Sequence, residues 1–124
     1  MLPRENRLKH NRDFKTLFDE GKFVPGSLVN AQIWKIDLEK YPRRKYTLDD
    51  LKIGFVVSKK TSKSAVKRNR IKRQMSESVR LIIKNNTLKT GYLVLILAKN
   101  EILDKEYADI EKSVDQLLHR TGLL

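Results

Sequence analysis

The sequence predicts an α+β fold, a single-domain sandwich of helices on one sheet, and three stretches point to it. Leu28–Ile36 (LVNAQIWKI) alternates apolar and polar residues, as a strand with one covered face does. Tyr92–Ala98 (YLVLILA) is a continuous apolar run of strand length, the pattern of a central strand covered on both faces. Ile71, Met75, Ser78, Val79 and Ile82 recur at helical spacing and make one core-facing stripe. With 124 residues and no cysteine, the chain 1–124 is expected to be one domain whose core needs no disulfide or metal staple. The predicted order is α-β-β-α-β-α around a single sheet, with room for an extra short strand.

Asn11 or Asp13 can cap a short first helix, whose core-facing candidates are Phe14, Leu17 and Phe18 and which Gly21 ends. In the strand that follows, Val29, Ala31 and Ile33 share one face, and Asn30, Gln32 and Trp34 share the other. Asp37–Lys52 is a charged connection with a Tyr-Pro step and an Arg43-Arg44-Lys45 cluster, read as a long mobile loop. Ile53–Ser58 (IGFVVS) is the next strand, in which Gly54 marks a bulge or a close backbone approach. Thr61, Ser62 or Ser64 starts the second helix, which runs to about Asn85. On that helix Asn69, Arg73, Ser76 and Arg80 gather opposite the apolar stripe, Arg70 and Glu77 flank them, and Arg68 falls near the apolar side. Tyr107–Leu118 is the last helix, packing through Tyr107, Ile110, Val114, Leu117 and Leu118, with Gly122 beyond its end.

Charge is the functional signal. Lys59–Arg73 (KKTSKSAVKRNRIKR) holds eight basic side chains in fifteen positions and no acid, within a formal net charge of +12. Like charges this dense repel one another along a helix, and a polyanion relieves them. Lys supplies mobile point charge for phosphate and Arg a planar fork of donors. Asn69 sets an amide between two arginines, suited to a base edge, a sugar or its own helix start. From Lys99 to Leu124 the balance reverses, with four Lys or Arg against six Asp or Glu, so the last helix serves the fold. A merely solvated basic face is the competing reading, and it leaves the missing acids unexplained.

Composition also excludes. Without cysteine there is no thiolate chemistry, and His10 and His119 have no ligand-like spacing. The acids are scattered, so the chain is not expected to hold Mg²⁺ at a site of its own or to cut phosphodiesters alone. The basic N-terminal stretch has no apolar segment behind it and Leu93–Ala98 is too short to cross a bilayer. A cytoplasmic protein without a membrane partner is expected.

At Lys59–Arg73 the chain closely resembles the protein subunit of bacterial ribonuclease P. That family's signature has two lysines closing a strand, a short spacer, an alanine, then R-N-R-x-K-R leading into a helix. Here these are Lys59 and Lys60, Ala65, and the run Arg68, Asn69, Arg70, Ile71, Lys72 and Arg73. Arg7, Leu8, Phe14, Phe18 and Gly21 are similar to the family's opening R-L…F…F…G, and the strands on both sides of the signature extend the likeness over most of the chain.

The resemblance implies a small α+β domain with a left-handed crossover between parallel strands, an exception to the usual hand. It implies the accessory subunit of a ribonucleoprotein endoribonuclease that removes the 5′ leader from precursor tRNA. The catalytic RNA carries the chemistry, with Mg²⁺ held by that RNA and the substrate, and one protein joins each RNA. On that template Lys59, Lys60, Arg68, Asn69, Arg70, Lys72 and Arg73 belong to or border the RNA-binding surface, and the basic residues Lys63, Lys67 and Arg80 of the same segment and helix are further RNA-binding candidates. Phe14, Phe18, Gln32 and Trp34 line a groove for the single-stranded leader, where rings stack on bases without reading sequence strongly. No protein residue is catalytic.

The chain departs from the family pattern in three places. Gln32 stands at the position usually held by a groove tyrosine, and Trp34 is its candidate replacement. Ser76 stands where arginine is frequent, and the Arg43–Lys45 cluster either touches RNA or solvates a loop. Core anchoring is the other reading of Phe14 and Phe18. Three other functions compete: a structural RNA-binding protein of ribosomal type, a stand-alone nuclease and a DNA-binding helix. The first leaves the phenylalanine pair beside a polar sheet face unexplained, the second lacks an acid cluster, and the third lacks a dimer partner.

Overall fold

The computed structural model describes residues 2–85 and 88–124. The chain forms α1 (Asn11–Glu20), β1 (Lys22–Val24), β2 (Val29–Lys35), β3 (Leu51–Val56), α2 (Ala65–Asn85), β4 (Tyr92–Ala98) and α3 (Tyr107–Thr121). One four-stranded sheet runs in the order β1-β2-β4-β3. β1 with β2 and β2 with β4 are antiparallel, whereas β3 and β4 are parallel neighbours joined through α2.

The sheet separates two apolar layers. On one face α2 and α3 bury Ile71, Met75, Val79, Ile110 and Val114 against Val29, Ala31, Ile53, Val94 and Ile96. On the other, α1 and the β2–β3 connection bury Leu17 and Tyr46 with Leu8, Trp34, Leu93 and Leu95. β4 feeds both layers in alternation, and Leu93, Val94, Leu95 and Ile96 are all fully buried. Its continuous apolar run is therefore the consequence of a central position. Each such side chain contributes about 1.5–3 kcal/mol by leaving water. The buried residues of α2 are Ile71, Met75, Ser78, Val79 and Ile82, as its periodicity predicts. Ser78 satisfies its hydroxyl by donating to the Gln74 carbonyl at 2.9 Å.

Several expectations are corrected in detail. The extra short strand is real, and the order becomes α-β-β-β-α-β-α. β1 spans three residues, too few to display a period, and it exists because Phe23 and Val24 pair with Gln32 and Ala31. β3 lies at Leu51–Val56, two residues before the predicted span, because its pairing with β4 begins at Leu51–Tyr92 and ends at Val56–Leu97. α2 starts at Ala65 with Ser64 as its cap: the Ser64 hydroxyl accepts the Lys67 N–H at 3.3 Å. Thr61 is spent elsewhere, its hydroxyl donating to Asn100 Oδ1 at 2.9 Å. α3 runs to Thr121. α1 begins at Asn11 with His10 in the cap position and no side-chain cap bond.

The Asp37–Lys52 connection is folded against α1. Tyr46 is buried and its hydroxyl donates to Asp13, which is why a carboxylate sits inside the first helix's packing face. Burial first, and then that bond, push the Tyr46 phenol above its ordinary pKa. Arg44 donates to the Thr16 hydroxyl at 2.7 Å and stacks 3.8 Å over the Tyr41 ring. Lys40 and Tyr41 both bond Glu20. Apart from the Arg44–Tyr41 stack, these contacts join residues 20 or more apart in sequence, so local composition reads only as a charged loop.

Candidate nucleic-acid interface

Two adjacent surfaces hold the candidate residues. The first is the turn after β3 and the first half of α2. Lys59, Lys60, Lys63, Lys67, Asn69, Arg70, Lys72 and Arg73 are all exposed. Among the described residues, none of the eight basic side chains from Lys59 to Arg73 forms an ion pair with a carboxylate. Arg68 is half-buried, and its guanidinium donates to the Ser62 carbonyl at 2.8 Å, closing the turn onto the helix. Arg80 is farther along and is paired with Glu77 through a 3.0 Å Nε–Oε2 bond. That guanidinium holds the Glu77 carboxyl below its usual range, so Arg80 brings less uncompensated charge than the other basic residues.

The second surface is the sheet face under α1. Strand register lays one row across it, with Phe23 opposite Gln32, Gln32 opposite Leu95, and Leu95 opposite Gly54. Phe14 is half-buried at the edge of the α1 layer, while Phe18 is 55% exposed and is not the core residue its spacing suggested. Gln32 reaches the end of α1, and a Cβ on Gly21 would lie 3.1 Å from its Oε1. That oxygen is buried without a hydrogen-bond partner among the described residues. An unsatisfied amide of this kind costs about 1–3 kcal/mol, which a donor from a bound strand removes.

Trp34 must be taken out of the groove. It is 6% exposed and held between Tyr46 and Tyr41, with ring centroids at 5.6 and 5.9 Å. It shares a face with Gln32, as alternation requires, but the folded β2–β3 connection covers it. Phe23 is the residue the sequence reading missed. It is 53% exposed directly across from Gln32, on a strand too short to be recognised from sequence.

Between the two surfaces, at the β3 edge of the sheet, lies a cleft of ≈ 310 Å³ whose lining includes Phe14, Gly54, Phe55, Lys72, Arg73 and Ser76. Three carboxylates on α1 and α2 are engaged: Asp13 by Tyr46, Glu20 by Lys40 and Tyr41, Glu77 by Arg80. Among the described residues no group of three or more His, Asp or Glu is placed to hold a metal ion. The arrangement suits binding and positioning of an anionic strand, and it contains no donor set for hydrolysis.

A family model described as Ribonuclease P matches residues 2–122. The chain belongs to the ribonuclease P protein family. It is 35% identical over 122 residues to the ribonuclease P protein component of Clostridium acetobutylicum, covering 98% of this chain and 92% of that protein. It is 34% identical over 122 residues to that of Clostridium novyi, covering 98% of each. Solved structures share the fold: the Staphylococcus aureus RNase P protein at TM-score 0.75 and 23% identity, over 95% of this chain and 96% of that one. The Thermotoga maritima protein superposes at TM-score 0.73 and 23% identity, over 92% and 96%. As a family member the chain aids the RNA subunit in processing precursor tRNA, within a ribonucleoprotein whose catalysis is RNA-based. No described helix is long and apolar enough to cross a membrane.

Proposed function

We propose that residues 1–124 act as one RNA-binding domain that holds the catalytic RNA with one surface and the 5′ leader of precursor tRNA with the other, one protein to each RNA in the cytoplasm. The observation that carries this reading is a run of eight cations without carboxylate ion pairs among the described residues, in a chain that also exposes Phe18 on α1 and Phe23 on the sheet. Lys59, Lys60, Lys63, Lys67, Arg68, Asn69, Arg70, Lys72 and Arg73 bind the catalytic RNA, with Arg80 at the margin. Phe14, Phe18 and Gln32, joined by Phe23, receive the leader. Mg²⁺ is held by the RNA subunit and substrate. The crossover from β3 through α2 to β4 is the left-handed one of the family.

Replacing Arg70 and Arg73 with alanine tests the first surface. Each lost phosphate contact reduces the magnitude of the log–log salt slope of RNA binding by roughly 0.7–0.9. Both side chains are exposed and lie off the core stripe, so the double variant is expected to fold normally. Equal slopes for wild type and variant would show these charges to be solvated surface only.

Phe23→Ala tests the second. Removing one stacking ring weakens precursor tRNA by about 1–3 kcal/mol and leaves mature tRNA unchanged, because only the precursor carries the leader. Phe23 is half-exposed on an edge strand, which separates this test from the stability loss that clouds Phe14→Ala. An equal loss for both tRNAs, or none for either, removes Phe23 from the groove.

A further inference from the structure

We propose that the cleft between β3 and α2 is a nucleotide pocket that captures one unstacked base of the ribonuclease P RNA, with the flanking phosphates on Arg7, Lys72 and Arg73. This rests on the reading of α2 as the face toward the catalytic RNA and deepens it from backbone attraction to capture of a base.

The lining of the cleft suits an aromatic ring. Phe14 from the α1 layer and Phe55 from the α2 layer contribute aromatic surface around edge strand β3, where Gly54 leaves the backbone bare. A Cβ on Gly54 would meet Leu8 Cδ2 at 3.0 Å and Phe14 Cε1 at 3.2 Å, so Leu8 and Phe14 close on the strand only because that side chain is absent. On the opposite wall Ser76 is short, and it keeps the mouth open beside Lys72 and Arg73. Arg7 completes the rim and is anchored by its Nε, which donates to the Leu2 carbonyl at 2.8 Å. No acid is among the lining residues. An apolar slot with a cationic rim matches the two halves of a nucleotide, an aromatic base and an anionic phosphate. At ≈ 310 Å³ the cleft is at the small end of ligand pockets, which run from about 300 to 1,000 Å³.

Position in the sheet decides which RNA supplies the base. β3 is one edge strand and β1 the other. Phe23 and Gln32 lie toward the β1 edge, away from this cleft, whereas its charged wall is α2 itself. The occupant is therefore a nucleotide of the catalytic RNA, with the leader in the neighbouring groove and Phe14 between the two.

The chain has no cysteine, so Ser76→Cys carrying an azidophenacyl group places one photo-crosslinker at the mouth of the cleft. In the complex of protein, RNA subunit and precursor tRNA, it is expected to label an unpaired nucleotide of the RNA subunit. Gln116→Cys on the exposed side of α3 is expected to label none. Ser76→Trp, which fills the cleft without removing charge, should weaken RNA-subunit binding about tenfold at an unchanged salt slope, as loss of one stacked base does. Crosslinks confined to the leader or to paired stems, or wild-type affinity in folded Ser76→Trp, would overturn the proposal. The crosslink decides the matter alone if the tryptophan variant does not fold. If Arg70 and Arg73 govern the salt slope while Ser76→Trp has no effect, the α2 surface stands and only the pocket falls.

Discussion

Protein freed of RNA is expected to leave precursor tRNA uncut at every Mg²⁺ concentration, and its addition is expected to move the Mg²⁺ dependence of cleavage by the RNA subunit to lower concentration. The first half follows from where the acids are. Asp13, Glu20 and Glu77, three of the carboxylates on α1 and α2, are each engaged by Tyr46, by Lys40 and Tyr41, or by Arg80. Hydrolysis assisted by Mg²⁺ needs carboxylates that converge on a free coordination position, and these do not. The second half follows from the cations. Two polyanions must be brought together, and Mg²⁺ and protein cations relieve the same repulsion, so one substitutes in part for the other. Single-turnover cleavage is measured across a Mg²⁺ titration with protein alone, RNA alone and both. Cleavage that scales with RNA-free protein, or an unshifted titration on adding it, contradicts this account.

Trp34→Ala is expected to remove about 3–5 kcal/mol of stability, from the 5–15 kcal/mol typical of a domain. The indole is 6% exposed, packed edge-on to Tyr46 and tilted against Tyr41 in the layer with Leu17, Leu93 and Leu95. Its loss also loosens the support of the Tyr46–Asp13 bond that ties the β2–β3 connection to α1. Where circular dichroism shows the variant folded, its preference for precursor over mature tRNA should equal that of wild type, since the ring does not reach the groove. Trp34 is the single tryptophan, so wild-type fluorescence reports this one environment. Leader RNA should leave it unquenched. A small change in melting temperature, or strong quenching by leader, would return Trp34 to the groove.

The sequence by itself determined the family, the basic helix and most of the core. The basic run Lys59–Arg73 and the stripe Ile71, Met75, Ser78, Val79 and Ile82 belong to one helix, and a helix's faces follow from residue spacing alone. The same holds for β4, whose unbroken apolar run requires cover on both sides. Only the tertiary structure decided which aromatics face solvent. Phe18 turned outward, Trp34 was covered by a connection whose contacts to α1 span 20 residues or more, and Phe23 was placed across from Gln32 by a three-residue strand. Periodicity says which face a side chain shares. It cannot say which later segment packs over that face, because that choice is made by bonds such as Tyr46 to Asp13 and Arg44 to Thr16, between residues that no local pattern joins.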